Sequence, residues 1–290
     1  MVSCPKCTAE NDSANVSCHR CGASLIQGRP DASDPYIGRT IGRDITLERH
    51  LGSGEMGMVY QAINTTNNKQ LAVKVIHNDV AAIHGDELLR WAKRSAQIRH
   101  AKVASVLAAN RESDGLTYIA TEYLDGQTLM AQLRQTGPLG PMRAADILFQ
   151  ICSALAPIHR VGRPHANLKP ENVFVLTADG GGDFVKIVDV GSPTLCGVRV
   201  DGDRKIIIGT PKYFSPEQAR GDSVGLTSDQ FSLGIIGYLL LTGALPFFGP
   251  TPDALLESVK GANPRKVTDK APQVPTELAA IIHRCLHKDP

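Results

Sequence analysis

Alternating apolar and polar positions begin at Ile45 and predict three consecutive strands. The segments are ITLERHL, GMVYQAI and QLAVKVI, and turn-forming residues at 64–68 separate the last two. Because the connections are short, we expect these strands to pair as an antiparallel meander. A charged helix is predicted near 86–99, and two further strands are predicted around 103–109 and 116–123.

Beyond residue 123 the apolar positions follow helical spacing. One stripe consists of Leu148, Ile151, Cys152, Leu155 and Ile158. The longest apolar run, at 231–241, contains serine and glycine and is too short to cross a bilayer. We therefore expect a buried helix there and a mainly helical second half.

Charge and the N-terminal residues limit the function classes. The 290 residues include 31 basic and 29 acidic side chains, so the formal net charge of +2 gives no support to nucleic-acid or anionic-membrane binding. The start MVSCPKC lacks the basic and apolar regions of a secretory signal. We expect a cytoplasmic, reducing setting without a membrane segment, while a membrane anchor beyond residue 290 stays open.

Four cysteines in two C-x-x-C pairs predict a zinc ribbon over residues 1–25. The ligands would be Cys4, Cys7, Cys18 and Cys21. Two such turns supply the four thiolates of a tetrahedral Zn²⁺ site, which has no open position for catalysis and so stabilises a small domain or a docking surface. Two disulfides or a redox dithiol are the alternatives, and a reducing compartment favours zinc.

Residues 26–43 are predicted to be a linker, because they are rich in Gly, Pro, Asp and Ser and show no apolar period. The three other cysteines lack partners at metal-ligand spacing. We expect each of them to be buried: Cys152, Cys196 and Cys285.

Two motifs in the predicted meander indicate phosphate binding. LGSGEMGMVY carries Gly52, Gly54 and Gly57 between two strands, which favours a hairpin whose amides cover phosphates over a strand-to-helix dinucleotide turn. A plain glycine-rich turn is the alternative. Lys74 lies mid-strand in LAVKVI, where a charged side chain between apolar neighbours needs an anion, and a nucleotide phosphate would serve.

Further motifs follow in order: TEYLDG, HANLKPENV, VKIVDVGS, GTPKYFSPEQ, SDQFSLG and LLTGALPF. With the glycine loop and Lys74, they resemble a protein Ser/Thr kinase domain of the bacterial eukaryotic-like (Hanks-type) group, from about Ile45 to the end. The resemblance implies an α+β, two-lobed fold at 44–290, with a small, mostly antiparallel β N-lobe at about 44–122 and a mainly helical C-lobe at about 123–290. The family's last helix would then lie beyond residue 290.

The resemblance also implies ATP and Mg²⁺ as cofactors. Lys74 would contact the α- and β-phosphates, and Lys169 would steady the transferred phosphoryl group. Asn172 and Asp189 match the Mg²⁺ ligands, and Asp229 matches the residue that braces the catalytic loop from a buried helix. The other positions matched to the nucleotide site are Gly52, Gly54, Gly57, Val59, Ala72, Thr121, Glu122, Tyr123, Leu124 and Phe174.

The catalytic loop departs from the family pattern H-R-D at two positions. Asn167 stands where the family has the carboxylate that accepts the substrate proton, and general-base catalysis contributes about 10² to 10⁴-fold. The transition state of phosphoryl transfer is loose, and catalysis depends mainly on positioning and charge. Asn167 can therefore still orient the substrate hydroxyl and leave residual activity. Ala166 replaces the arginine that receives an activation-loop phosphate, so control by that switch is expected to be lost.

The predicted charged helix carries Trp91 where the family has the glutamate that pairs with Lys74. Glu87, one turn earlier on the same helix face, is a possible substitute, and an alignment slip of one turn is the other alternative. Val190 and Ser95 replace large apolar residues, and we expect the Trp91 indole to occupy the space they leave. Asp201-Gly202 between β-prone runs predicts a hairpin in the segment after Asp189.

Three functions are consistent with these features. The leading hypothesis is a degenerate, pseudokinase-like protein that binds Mg-ATP, with impaired or lost phosphotransfer and a regulatory or scaffold role. The second is an active but atypical Ser/Thr kinase that phosphorylates protein hydroxyls. The third is a zinc-ribbon docking module with the kinase fold as scaffold. The sequence does not identify the protein partner or substrate, and no nucleic acid is expected.

Overall fold

The N-terminal residues contribute one short strand pair to the structure. The structure is a computed structural model and describes residues 2–3, 10–11, 34–54, 56–190, 196–201 and 204–289. Strands β1 (Val2–Ser3) and β2 (Glu10–Asn11) pair antiparallel. The ribbon cysteines Cys4, Cys7, Cys18 and Cys21 lie outside the described residues, so the zinc ribbon stays a prediction.

A six-stranded antiparallel sheet forms the first of two units, which comprises residues up to 89 and residues 106–123. In spatial order β3-β4-β5-β6-β8-β7, its strands are β3 (Thr40–Ile41), β4 (Ile45–Gly54), β5 (Gly57–Asn64), β6 (Lys69–Ile76), β7 (Val106–Arg111) and β8 (Thr117–Glu122). Strands β4 to β6 form the predicted meander. Alternate side chains, including Leu47, Tyr60 and Val73, are buried on one face and form the core of this unit.

Residues 34–42 pack onto this sheet, although the composition of 26–43 predicted a linker. Ile41 on β3 is fully buried. The hydroxyl of the buried Tyr60 donates a hydrogen bond to the Asp34 carboxylate over 2.9 Å. Apolar residues are too few in this segment to show a period, and a two-residue strand adds a single buried position, so the pattern could not reveal the contact.

Helix α1 (Asn78–Ser95) begins eight residues before its predicted start at 86 and ends four before its predicted end at 99. Gly85 is a weak helix former and concealed the first turns in the sequence. An added Cβ at Gly85 would collide with the Arg111 side chain, which also forms an ion pair with Asp86 over 2.9 Å. Because that contact is with the flexible end of the Arg111 side chain, which can move aside, packing alone does not require glycine at this position.

The second unit comprises residues 90–105 and the chain from 124 onward. Its remaining helices are α2 (Leu129–Thr136), α3 (Pro141–Arg160), α4 (Pro216–Arg220), α5 (Leu226–Thr242), α6 (Pro252–Gly261), α7 (Val267–Lys270) and α8 (Thr276–Cys285), with short 3-10 helices at Pro170–Asn172 and Pro211–Tyr213. Helix α5 is buried on nearly all sides, as predicted from its apolar run. No helix in the described part of the chain is long and apolar enough to span a bilayer.

The apolar stripe on α3 is buried apart from its cysteine. Ile151 and its three stripe neighbours are buried, but Cys152 is exposed, which contradicts the prediction that it is buried. Cys152 lies about 100° around the helix from Ile151 and falls outside the stripe. Cys196 is buried as predicted, and Cys285 is half-buried.

Two small sheets complete the second unit. Strands β9 (Gln127–Thr128), β10 (Val173–Thr177) and β11 (Asp183–Ile187) pair antiparallel in the order β11-β10-β9. Strands β12 (Gly197–Asp201) and β13 (Arg204–Ile208) pair antiparallel through Asp201 and Arg204. This pairing confirms the hairpin predicted at Asp201-Gly202.

Candidate functional site

The glycine-rich motif closes the hairpin between β4 and β5. Gly52 pairs with Val59 and Gly54 pairs with Gly57, so the motif runs from strand to strand as predicted. An added Cβ at Gly57 would collide with the backbone carbonyl of Val75, whereas one at Gly52 would meet open space. Glycine therefore serves packing at Gly57, and at Gly52 it leaves room for the close approach of a ligand.

One face of the first unit's sheet carries four residues matched to the nucleotide site. The pairs Val59↔Lys74 and Ala72↔Thr121 place these side chains on the face opposite the buried core. All four are half-buried. The Thr121 hydroxyl donates to the Ala72 carbonyl over 3.3 Å, which fixes its orientation. The face thus combines an ammonium group with a small apolar surface.

The other residues matched to the nucleotide are divided between the two units. Glu122 and Tyr123 are half-buried at the end of β8 in the first unit. Leu124 is buried, and Phe174 is half-buried on β10, in the second unit. Their role in binding a nucleotide stays a prediction.

Asp229 on α5 holds the backbone of the loop that contains Asn167. Its fully buried carboxylate accepts hydrogen bonds from the N–H of His165 over 2.6 Å and of Ala166 over 2.8 Å. His159 donates a third bond from Nε2 over 2.7 Å. Ala166 has a φ of 64°, an uncommon backbone conformation for alanine that this bracing maintains. The bracing role that the family resemblance implied for Asp229 is confirmed.

The His165 ring is fully buried and neutral. Its Nε2 lies 3.0 Å from the Val188 carbonyl, which only accepts, so Nε2 carries the hydrogen. Its Nδ1 lies 3.3 Å from the backbone nitrogen of Asn167 and accepts that N–H. This neutral tautomer satisfies both contacts. Burial lowers the pKa of His165, in agreement with the hydrogen bonds.

Asn172 connects the Asn167 loop to the residue before Asp189. Its side-chain Nδ2 donates to the Asn167 carbonyl over 2.8 Å, and its own carbonyl accepts the Val188 N–H over 2.9 Å. Because the nitrogen is used in this way, the side-chain oxygen is the atom suited to Mg²⁺, which prefers oxygen ligands. Asp189 has a φ of 62°, a conformation that non-glycine residues adopt mainly where the surroundings impose it.

Lys169 and Gln218 connect the same loop to Thr210 and to the start of α4. Lys169 Nζ donates to the Thr210 hydroxyl over 2.9 Å. The Gln218 amide donates to the Ala166 carbonyl over 2.9 Å, while its oxygen accepts the Ser215 N–H over 3.1 Å. Gln218 was not among the predicted residues. The S-x-x-Q capping box at the start of α4 was the available signal, although it indicates only the helix cap.

Trp91, Ser95 and Val190 line one cavity of about 570 Å³ in the second unit. The indole is half-buried, and the Arg163 guanidinium lies over it with Cζ 4.6 Å from the ring centroid. The three residues are brought together as expected. The indole forms one wall of the cavity, and its occupation of the space beside Val190 and Ser95 stays a prediction. Glu87 lies one turn before Trp91 on α1, and its ion pair with Lys74 stays a prediction.

The sequence and fold are similar to those of known protein kinases. Residues 45–290 match the family model of the protein kinase domain. Serine/threonine-protein kinase pkn3 of Myxococcus xanthus is 34% identical over 272 residues, which are 90% of this chain and 49% of that protein. Serine/threonine-protein kinase PrkC of Bacillus subtilis is 32% identical over 258 residues, 88% of this chain and 39% of that protein. The chain therefore spans half or less of the length of these relatives.

A solved structure shares the same fold. The crystal structure of Rad53 1-466 in complex with AMP-PNP is similar with a TM-score of 0.70 and 27% identity, covering 85% of this chain and 61% of that chain. The predicted α+β architecture, with a mostly antiparallel β lobe and a mainly helical lobe, is confirmed.

Proposed function

The chain belongs to the protein kinase family, and from this premise we propose that it is a Ser/Thr kinase-like protein that binds Mg-ATP and transfers phosphate slowly or not at all. One observation carries the proposal. Asn167 replaces the proton-accepting carboxylate within a loop whose supporting contacts, from Asp229 and Asn172, are complete. Such a loop can hold a bound substrate in place but lacks the group that would take up the proton of its hydroxyl.

The residues present fit a magnesium-bound triphosphate. In the first unit, the half-buried Lys74 ammonium beside Val59 and Ala72 offers a cation for phosphates and an apolar surface for the base. In the second unit, Asp189 and the side-chain oxygen of Asn172 are hard oxygen donors of the kind that Mg²⁺ selects. Bound magnesium would neutralise charge on the phosphates.

Lys169 and Asn167 have different proposed roles toward the reacting groups. Lys169, oriented by Thr210, would place a positive charge near the transferred phosphoryl group. The Asn167 amide can accept a hydrogen bond from an acceptor hydroxyl and so orient it. It cannot take up the proton, because a carboxamide is not a base near neutral pH. We therefore expect a loss of about 10² to 10⁴-fold in phosphotransfer.

An active but atypical kinase is the second candidate. The hydrogen bond from Lys169 to Thr210 favours it, because the transition state is stabilised mainly by positioning and charge. The relatives named above also carry the name of serine/threonine-protein kinases. Under both hypotheses Ala166 supplies no guanidinium for an activation-loop phosphate.

Nucleotide binding is tested by the thermal shift that ATP and Mg²⁺ produce. We expect stabilisation of the wild-type chain and a much smaller shift for Lys74→Met. Lys69→Met is the matched control, because Lys69 is exposed at the start of the same strand and should leave the shift unchanged. If the wild type shows no stabilisation at millimolar nucleotide, both kinase-like hypotheses are wrong.

Phosphotransfer rates separate the two candidates. They are measured for the wild type, for Asn167→Asp and for the double variant Asn167→Asp/Lys74→Met. We expect Asn167→Asp to raise the rate by about 10² to 10⁴-fold, and the added Lys74→Met to abolish the gain. Intact mass must exclude deamidation of Asn167 in the wild-type sample. A measurable wild-type rate that equals that of Asn167→Asp and is abolished by Lys74→Met would establish the active kinase.

We also propose that the four N-terminal cysteines bind a structural zinc ion. We expect metal analysis to find one equivalent of zinc per chain, which the double variant Cys4→Ser/Cys7→Ser loses. Cys152→Ser is the matched control, because Cys152 is exposed and lies outside the motif. Zinc retained in the double variant would contradict the proposal. A docking role for this ribbon is the third candidate function.

A further inference from the structure

We propose that the cavity beside Trp91 is a second ligand site, for a small organic phosphate, separate from the residues assigned to Mg-ATP. The last turns of α1, the end of α3 and Val190 line the cavity. Among the residues that the structure describes, its walls consist of second-unit residues, and none of these is matched to the nucleotide.

The cavity is lined by positive charge. Arg94, Arg99, Arg160 and Arg163 contribute to its walls, and no acidic side chain is among the lining residues in the described part of the chain. Arg94, Arg99 and Arg160 are exposed and Arg163 is half-buried, so the lining offers a concentration of positive charge that an anion would neutralise. Arginine binds phosphate through paired N–H groups, so phosphate is the anion that this lining favours.

Two buried donors in the lining have no hydrogen-bond partner among the described residues. They are the Ser95 hydroxyl and Nη1 of Arg163. Ser95 as a whole is 7% exposed. An unpaired buried polar group is unfavourable, and native structures usually satisfy one with a protein group, water or an ion. Both atoms are shielded from water, so phosphate oxygens would pair with these donors only after a small rotation of the Ser95 and Arg163 side chains.

The cavity also has an organic component. Its volume of about 570 Å³ is within the range of small-molecule sites and exceeds the needs of an inorganic ion. Trp91, Ile98 and Ile158 supply an aromatic and an apolar wall. The ligand class is therefore a phosphate monoester whose organic group packs against the indole.

Trp91 is the single tryptophan of the chain, so its fluorescence reports directly on this cavity. The probes are n-butyl phosphate, inorganic phosphate and n-butanol, titrated into the full chain. We expect a saturable change with butyl phosphate, about tenfold weaker binding of inorganic phosphate and no saturable change with butanol. Binding should weaken as salt is added, because the site is partly exposed.

Variants locate the binding. Arg163→Met should weaken butyl phosphate binding by about tenfold or more, and Ser95→Ala by a few-fold. Arg284→Met removes an exposed arginine on α8 outside the cavity and should bind as wild type does. If Arg163→Met does not fold, Arg160→Met serves instead, because Arg160 is exposed and lines the cavity. Thermal shift gives a second readout that is independent of the indole.

Lys74→Met separates this site from the nucleotide site. We expect it to retain the butyl phosphate response, and a loss of the response would place the phosphate at the nucleotide site and overturn the proposal. The proposal is also wrong if the wild type shows no saturable response, if butanol binds as tightly as butyl phosphate, or if the arginine variants of the cavity bind as Arg284→Met does.

Discussion

The ammonium group of Lys169 donates a hydrogen bond to the Thr210 hydroxyl over 2.9 Å. Both side chains are half-buried, and the bond joins the Asn167 loop to the residue before the 3-10 helix Pro211–Tyr213. A flexible lysine is thereby held in one orientation. The cation that would act on a phosphoryl group is thus already positioned within the second unit, although the neighbouring base is absent.

Removing the Thr210 acceptor should therefore slow phosphotransfer. In the Asn167→Asp background, where activity is expected to be measurable, Thr210→Val should lower the rate about tenfold, because Lys169 loses its orienting bond. Thr210→Ser keeps the hydroxyl and should stay within about twofold of its parent. Equal rates for the Val and Ser variants would show that the bond does not position Lys169.

Asp229 should contribute strongly to the stability of the second unit. Asp229→Asn places an NH₂ group where the carboxylate accepts three hydrogen bonds and leaves buried donors unpaired, so we expect a loss of about 3 kcal/mol in unfolding free energy. Asp222→Asn is the control, because Asp222 is an exposed partner of Arg220 and should change stability by about 0.5 kcal/mol or less. Urea unfolding measures both variants, and similar losses would contradict the bracing role.

His165 should make stability fall as pH decreases. Its pKa is lowered in the folded protein because burial disfavours the charged ring, whereas the unfolded chain takes up a proton below a pH of about 6.5. The unfolded state then binds more protons than the folded state. The contribution of neutral His165 to the unfolding free energy is complete above pH about 6.5. Below that pH it is lost, by up to about 1.4 kcal/mol per pH unit.

The comparison variant for this pH effect is His165→Gln, which retains an N–H donor for the Val188 carbonyl and does not titrate. Urea unfolding at pH about 7 and pH about 5.5 should show a smaller decline for the variant than for the wild type. If the two declines are the same, His165 is not the group responsible.

The parts of the fold that sequence predicted are those with strong local signals. Strands β4 to β6 alternate between a buried and a half-exposed face, and α5 contains one long apolar run, so each carries its own pattern. The burial of Ile41 in the core of the first unit and the early start of α1 depend on packing against residues that are distant in sequence. Gly85 on α1 lies beside the Arg111 side chain of β7, a contact that no local pattern contains.

The site shows the same division. Ordered motifs identified Asp229 as the brace of the catalytic loop. They did not identify Gln218, whose contact with the Ala166 carbonyl joins two distant segments, or Arg163, whose stacking on Trp91 exists only in the folded second unit. A half-buried arginine that stacks on a tryptophan cannot be distinguished from a surface arginine by composition, because both are common next to a helix end.

Gly57 and Gly52 should respond in opposite ways to alanine, although they belong to one motif. At Gly57 the added Cβ collides with the Val75 carbonyl in the middle of the sheet, which cannot move without breaking strand pairing, so we expect a loss of about 2 kcal/mol. At Gly52 the Cβ meets nothing within 4 Å, and the lower entropy of the unfolded chain leaves stability unchanged or raised by about 0.5 kcal/mol. Urea unfolding distinguishes these values.

The Mg-ATP thermal shift should then decline for the stable Gly52→Ala variant, because the methyl group would occupy space that a phosphate needs. Equal stability of the two variants would contradict the packing role of Gly57, and an unchanged shift for Gly52→Ala would contradict the phosphate-binding role of the hairpin.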